Sequence, residues 1–231
     1  MARDYDMSMG RPVILEGPVE RQAFLAKVYS TFTAGLVLAL LGCVLALTNP
    51  AVGRIGLAVM GNPLIYILTV LALTFGVMAL SRTPGINLVA FGAYTTFFGI
   101  LTAPLIMMAA GATGSLAVVY QALGLTVLVF GGLSVWALTT REDLGGWGKY
   151  LLIGGLLLVG VGLIGAFTSF GLGLWYNALA VTLIAGFTMY DTQMIQRRYP
   201  ATMWVAGAVA LFTDFLMMFW QLLMLLTGSR R

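Results

Sequence analysis

Residues 209–220 read VALFTDFLMMFW, an apolar run interrupted near its centre by a single carboxylate, Asp214. A second run, AGFTMYDTQMIQRR at residues 185–198, holds Asp191 six residues before Arg197. Runs this apolar are typical of helices that cross a membrane. A charged side chain at mid-bilayer depth costs about 2.5–3.5 kcal/mol on insertion scales, so these two acids are the primary functional candidates.

Apolar residues dominate the rest of the chain as well. Of its 231 residues, 60% are hydrophobic and 9% are charged, whereas an ordinary soluble domain carries roughly 25% charged residues. Seven spans of about 21 residues would occupy about 147 positions. The predicted fold is therefore an all-α integral membrane protein, a seven-transmembrane-helix bundle that forms one domain over residues 26–231. Residues 1–25 are predicted to be a mobile cytoplasmic tail.

Turn-forming pairs separate the apolar runs, for example at Asn49-Pro50 and Asn62-Pro63. Pro104 lies inside the third run, where it predicts a kink and a freed carbonyl that could line a cavity. The predicted spans are residues 27–47, 63–80, 88–110, 115–138, 150–167, 174–196 and 203–226.

Basic residues are distributed unequally between the two sides of the predicted bundle. The side of the N-terminus carries nine, namely Arg3, Arg11, Arg21, Lys27, Arg82, Arg141, Lys149, Arg197 and Arg198, and the other side carries three, namely Arg54, Arg230 and Arg231. The positive-inside rule then predicts a cytoplasmic N-terminus and an outer C-terminus. Because the net charge of +4 is scattered over short loops, no nucleic-acid partner is predicted.

The cysteine and histidine counts exclude several kinds of chemistry. One cysteine excludes a disulfide framework and the usual zinc or iron–sulfur clusters. The sequence contains no histidine, which removes the Ser-His-Asp triad and the usual pH switch near neutrality. No cofactor is predicted, and proton sensing would require a carboxylate, a lysine or the cysteine.

The two acids are predicted to approach each other, since helices joined by a short loop are usually neighbours. Asp191 lies about 9 Å from the inner end of its helix and Asp214 about 16 Å into the next one. Two carboxylates in a low-dielectric site cannot both ionise cheaply and would share a proton. Deprotonated, they offer hard oxygen ligands that suit Ca²⁺. Proton-controlled cation passage is the prediction; hydrogen-bonded structural acids are the alternative.

Arg82 is the cation best placed to interact with this pair. It lies in the inner loop before Pro84 and could snorkel toward Asp191. An Arg82–Asp191 latch would hold the cytoplasmic mouth shut until protonation weakened it. The alternative is that Arg82 only determines topology.

At these residues the chain resembles the Bax inhibitor-1 family, also called the transmembrane Bax inhibitor motif family. The resemblance covers nearly the whole chain, and its marks are LAKVY at residues 25–29, residues 87–99, YDTQ at 190–193 and LFTDF at 211–215. It implies a seven-helix bundle with a central last helix and a pH-dependent Ca²⁺ leak. It also implies a di-aspartyl proton sensor at Asp191 and Asp214, with Arg82 as the inner latch. Some bacterial relatives add an acid in helix two, which residues 63–80 lack.

Other functional classes fit less well. An intramembrane aspartyl protease needs Gly-x-Gly-Asp, whereas Leu211, Phe212 and Thr213 precede Asp214, so an enzyme is not predicted. A regulatory membrane protein that acts by binding, as a membrane-protease or cell-death modulator, stays open. Its surface would be residues 1–21, where Pro12 and Pro18 are expected to break helices. Ten Arg against two Lys favours a bacterial inner membrane over the endoplasmic reticulum.

Overall fold

The computed structural model describes residues 12–15, 17–168 and 173–228. Within these ranges the chain folds into eight α-helices joined by short turns. They are α1 (Pro18–Thr48), α2 (Pro50–Met60), α3 (Pro63–Leu80), α4 (Ile86–Thr113), α5 (Ala117–Thr139), α6 (Gly148–Thr168), α7 (Gly173–Arg198) and α8 (Trp204–Gly228). All but α2 are long and apolar enough to cross a membrane, which confirms the predicted all-α membrane fold with seven spans. Arg3, Arg11, Arg230 and Arg231 lie outside the described residues.

The first helix begins nine residues earlier than the predicted span. Its first residue is Pro18, which the sequence analysis expected to break helices. That expectation is wrong because proline at the first helical position loses no hydrogen bond and has a suitable φ angle. The resulting helix of 31 residues is about 46 Å long, so α1 extends beyond a hydrocarbon core of about 30 Å.

Helix α2 is an element that the sequence analysis did not predict. It has 11 residues, too few to cross a bilayer, and Asn49 caps it by accepting a hydrogen bond from the amide of Ala51 at 3.0 Å. Gly56 lies so close to α4 that a Cβ atom there would stand 2.9 Å from the carbonyl oxygen of Ile100. This is the carbonyl that Pro104 cannot bond. The freed carbonyl therefore faces α2, and Ile100 also lines a surface cavity between α1 and α4.

Helix α8 is the centre of the bundle. Within its most apolar stretch 61% of the residues are buried, compared with 6% in α3 and 11% in α6. It packs against α1, α4, α5 and α7, with Phe212, Met218 and Leu223 fully enclosed. An apolar helix surrounded on all sides is the expected position for a continuous hydrophobic run. The central last helix implied by the resemblance is present, and it places Asp214 in the interior.

Candidate functional site

Asp191 on α7 and Asp214 on α8 line the same cavity, whose volume is about 400 Å³. Residues of α3 and α6 complete its walls. Along α7 the cavity extends from Tyr176 to Asp191, a distance of about 22 Å at 1.5 Å per residue. The structure thus brings together the two acids that the sequence singled out, in a space that follows most of the membrane thickness.

Asp214 is buried without a complete set of hydrogen bonds. The residue is 8% exposed, and its Oδ2 atom is buried with no hydrogen-bond partner among the described residues. Asp191 lies close enough to interact with it electrostatically. Polar atoms buried in this way are rare and require an explanation. A proton, a cation or a hydrogen-bond donor from a ligand would each supply the missing partner.

Beside Asp214, a chain of hydroxyl groups connects three helices. The hydroxyls of Tyr94 on α4 and Thr213 on α8 are 2.8 Å apart, and Thr213 donates to the carbonyl of Val209 at 2.8 Å. Since the Thr213 hydrogen is thereby used, Tyr94 donates to Thr213. Thr74 on α3 lies 3.4 Å from the Tyr94 hydroxyl and donates to it. The sequence analysis noted Tyr94 only as part of the resemblance, because nothing local reveals a partner 119 positions away.

The N-terminal segment docks at one end of the bundle, next to the loop between α7 and α8. The amide of Val13 donates to the carbonyl of Tyr199 at 3.0 Å, and Pro12 forms an antiparallel bridge with Pro200. Val13 is fully buried. Residues 12–15 therefore form a strap over the α7–α8 loop, a contact that the sequence analysis did not predict, while the mobility of the tail stays a prediction.

Tyr199 links this strap to the acid pair. Its pKa rises to about 12, mainly because the phenol is buried; the Asp191 carboxylate acts in the same direction and the Arg82 guanidinium opposes it. Tyr199 therefore stays neutral over the physiological pH range. Arg82 itself is exposed in the turn after α3. Its charge acts on Tyr199 in the α7–α8 loop, while the Arg82–Asp191 latch stays a prediction.

Gln193, two residues after Asp191, has a separate structural role. Its side chain is fully buried, accepts a hydrogen bond from the Leu144 amide at 2.6 Å and donates to the Glu142 carbonyl at 2.7 Å. Arg197 supports the same loop by donating to the Thr140 carbonyl at 2.9 Å. The YDTQ motif thus holds the α5–α6 loop against α7 as well as carrying an acid.

Few acidic ligands are available for a metal ion. Across residues 12–15, 17–168 and 173–228, no three His, Cys, Asp or Glu side chains gather into one group. Ca²⁺ takes six to eight oxygen ligands. Besides the two carboxylates, the cavity offers the hydroxyls of Thr74 and Thr213 and the amide of Gln221. A bound Ca²⁺ ion would have to keep several water molecules.

Comparison with known proteins agrees with this architecture. The family described as "Inhibitor of apoptosis-promoting Bax1" matches residues 21–231. A protein of Helicobacter pylori (strain ATCC 700392 / 26695) is 31% identical over 230 residues, which covers 96% of this chain and 95% of the relative. The inner membrane protein YbhL of Escherichia coli (strain K12) is 26% identical over 228 residues, covering 91% and 93%. The predicted location, a bacterial inner membrane, is confirmed by bacterial relatives named as membrane proteins, YbhL among them.

Proposed function

This chain belongs to the Bax inhibitor-1 family, and on that premise we propose that it is a pH-dependent Ca²⁺ leak channel whose proton sensor is the pair Asp191 and Asp214. One observation carries the proposal: both carboxylates line a single cavity inside the membrane-spanning bundle. A cation that crosses the bilayer needs compensating negative charge at depth, and these two groups supply it.

Proton sharing would make this charge depend on pH. Two nearby carboxylates with little water around them cannot both ionise cheaply, so the pair holds a proton that either residue can carry. With one proton the pair carries a single negative charge and attracts a cation; with two it is neutral and does not. At higher pH the pair also loses its remaining proton. The added negative charge strengthens any contact with Arg82.

No neighbouring group competes as the sensor near neutral pH. Among the described residues, the titratable groups that line the cavity or interact with the pair are Tyr94 from α4, Tyr176 from α7 and Tyr199 from the α7–α8 loop. Tyr190 and Arg82 in turn interact with Tyr199. The residues that α3 and α6 contribute to the cavity carry no titratable side chain. Phenols and guanidinium groups keep one protonation state between about pH 5 and 8, so the carboxylates are left as the variable.

Together, these effects predict that the Ca²⁺ flux passes through a maximum as the pH is varied. At higher pH the Arg82–Asp191 latch and the docked strap keep the inner mouth closed. Protonation of one carboxylate weakens the latch and increases flux, and protonation of the second removes the cation site and decreases it. A bell-shaped profile of this kind reports the two steps of a coupled pair.

Calcium uptake into proteoliposomes as a function of pH tests the proposal. The wild-type chain is compared with the double variant Asp191→Asn/Asp214→Asn, in which both carboxylates become neutral amides of similar size. Glu142→Gln is the matched control, because Glu142 is an exposed acid in the α5–α6 loop that bonds Gln193 through its backbone carbonyl. The double variant should lose the pH dependence and the control should keep it. An unchanged profile in the double variant refutes the assignment.

A second function, regulation of a membrane-protein partner through binding, is favoured by the docked strap. Because Val13 is anchored beside the α7–α8 loop, the strap fixes part of the predicted binding segment, residues 1–21, to the bundle. Deletion of residues 2–11 leaves the strap in place. A binding function would be lost in this variant while Ca²⁺ uptake persists, whereas a leak channel alone would be unaffected.

A further inference from the structure

The cavity that holds the acid pair is not built for a hydrated ion alone. Large apolar side chains from four helices line most of it, among them Met78, Leu158, Leu183, Phe187 and Met217. Among its described lining residues there is no Lys or Arg. Its volume of about 400 Å³ lies within the roughly 300–1,000 Å³ of small-molecule sites, which combine apolar walls with a few polar groups.

Two acceptors on residues that line this cavity have no partner among the described residues. They are Oδ2 of Asp214 and Oε1 of Gln221, both buried and without a hydrogen bond in the described part of the chain. The two residues are seven positions apart on α8, so they lie on the same face, about 10 Å apart along the helix axis. A purely apolar occupant, such as a lipid acyl chain, would leave both acceptors unsatisfied, which is unfavourable. A molecule that fits this cavity therefore carries hydrogen-bond donors.

The cavity adjoins the lipid between α3 and α6. Both helices line the cavity, yet among the described residues they make no extensive contact, since α3 packs against α2, α4 and α8 and α6 packs against α7. Their outer surfaces are apolar and exposed, with Phe75 71% and Leu156 65% exposed. A hydrophobic molecule dissolved in the bilayer can thus approach the cavity without crossing either set of loops.

We propose that this cavity binds an amphipathic amine that enters from the bilayer between α3 and α6. The ammonium group pairs with Asp214 and the neighbouring Asp191, and the apolar body packs along the α6–α7 wall. A second donor on the molecule reaches Gln221. A buried carboxylate gains most from a partner that brings both positive charge and hydrogen bonds. The site shares the acid pair with the proposed leak but does not require that ions pass.

Photo-crosslinking of the full-length protein in lipid nanodiscs tests this site. The probe is a phenylbutylamine that carries an aryl diazirine, and the corresponding phenylbutanol is a neutral probe of the same shape. At about pH 8 the amine is charged and should label peptides of α6, α7 and α8. Excess unlabelled amine should prevent the labelling, and the alcohol should label these peptides weakly.

Two variants separate the site from general partitioning into the lipid. Asp214→Asn removes the counter-charge and should reduce labelling by about tenfold or more, whereas Glu142→Gln should not change it. Gly155→Leu keeps both acids and fills the cavity from α6, where an added Cβ first meets the Phe187 ring at an ordinary 3.6 Å. It should reduce labelling as well. Labelling that is equal for the alcohol, or unchanged in Gly155→Leu, overturns the proposal.

The outcome is distinguishable from that of the Ca²⁺ experiment. Amine labelling that depends on Asp214 in a protein without pH-dependent uptake supports the site and refutes the leak. Uptake without such labelling supports the leak and refutes the site. If both are found, the amine should inhibit Ca²⁺ uptake, because the two cations then compete for the same carboxylates.

Discussion

Tyr94 on α4 donates its hydroxyl hydrogen to Oγ1 of Thr213 on α8 across 2.8 Å, directly beside Asp214 in the chain. Because Thr213 gives its single hydroxyl hydrogen to the Val209 carbonyl, it cannot also donate to the acid. The hydroxyl chain therefore fixes the position of α8 relative to α3 and α4. It does not supply the partner that Asp214 lacks.

Tyr94→Phe separates a structural role of Tyr94 from a role in proton sensing. The variant loses the hydrogen bonds of the Tyr94 hydroxyl to Thr213 and Thr74 and should be less stable by about 1–2 kcal/mol, measured by thermal unfolding in detergent. The pH profile of Ca²⁺ uptake should keep its shape, because both carboxylates remain. Tyr120→Phe is the control, since Tyr120 is 68% exposed on α5. A lost pH profile in Tyr94→Phe would show that Tyr94 belongs to the sensor.

Val13→Asp tests whether the strap closes the inner mouth. A carboxylate in this fully buried position has no partner and should expel the strap from the α7–α8 loop. Ca²⁺ uptake near neutral pH should rise several-fold, the factor that a loss of about 1 kcal/mol of closing contacts supplies. Leu15→Asp adds the same charge at a residue that is 63% exposed and should behave like wild type. Equal uptake in all three proteins would mean that the strap is not a gate.

Gln193→Leu should release the α5–α6 loop from α7. The variant leaves the Leu144 amide and the Glu142 carbonyl without the bonds that Gln193 provides, which costs about 1–3 kcal/mol. Hydrogen exchange of the Leu144 amide should become faster by about ten- to a hundredfold. Gln22→Leu changes an exposed residue of α1 and provides the comparison. Unaltered exchange at Leu144 would contradict the anchoring role.

Arg82→Gln tests the latch directly. If the guanidinium holds the mouth shut through Asp191, the variant should leak Ca²⁺ near neutral pH, where the wild-type channel is mostly closed. Arg54→Gln, which removes an exposed arginine next to the opposite end of α1, should leave uptake unchanged. Equal uptake in both variants would reduce Arg82 to a determinant of topology.

The spans were predictable because the length and continuity of an apolar run are local properties of the sequence. Helix α2 was not predictable in this way, because its 11 residues are too few for an apolar run that crosses a membrane. The start of α1 was misjudged because a proline that ends one helix is also favoured at the first turn of another.

The site was predictable only in part. The sequence shows two acids in apolar runs that belong to helices joined by a short loop. It also predicts the approximate depth of each acid. The rotation of each helix about its axis depends on packing throughout the bundle, so the sequence could suggest that the acids meet but could not give the walls of their shared cavity. The bonds of Tyr94 and Gln193 join residues 119 and 49 positions apart, and such pairings become visible only once the helices are placed.

Infrared difference spectroscopy tests most directly whether Asp191 and Asp214 hold one proton between them. The C=O stretch of a protonated carboxyl group is followed as a function of pH in wild type and in each single Asp→Asn variant. Coupling predicts a protonated band that persists toward neutral pH in wild type and disappears in two separate steps, with one step left in each variant. Two independent titrations near the ordinary aspartate value of about 3.9, unaffected by loss of the other acid, would contradict the account.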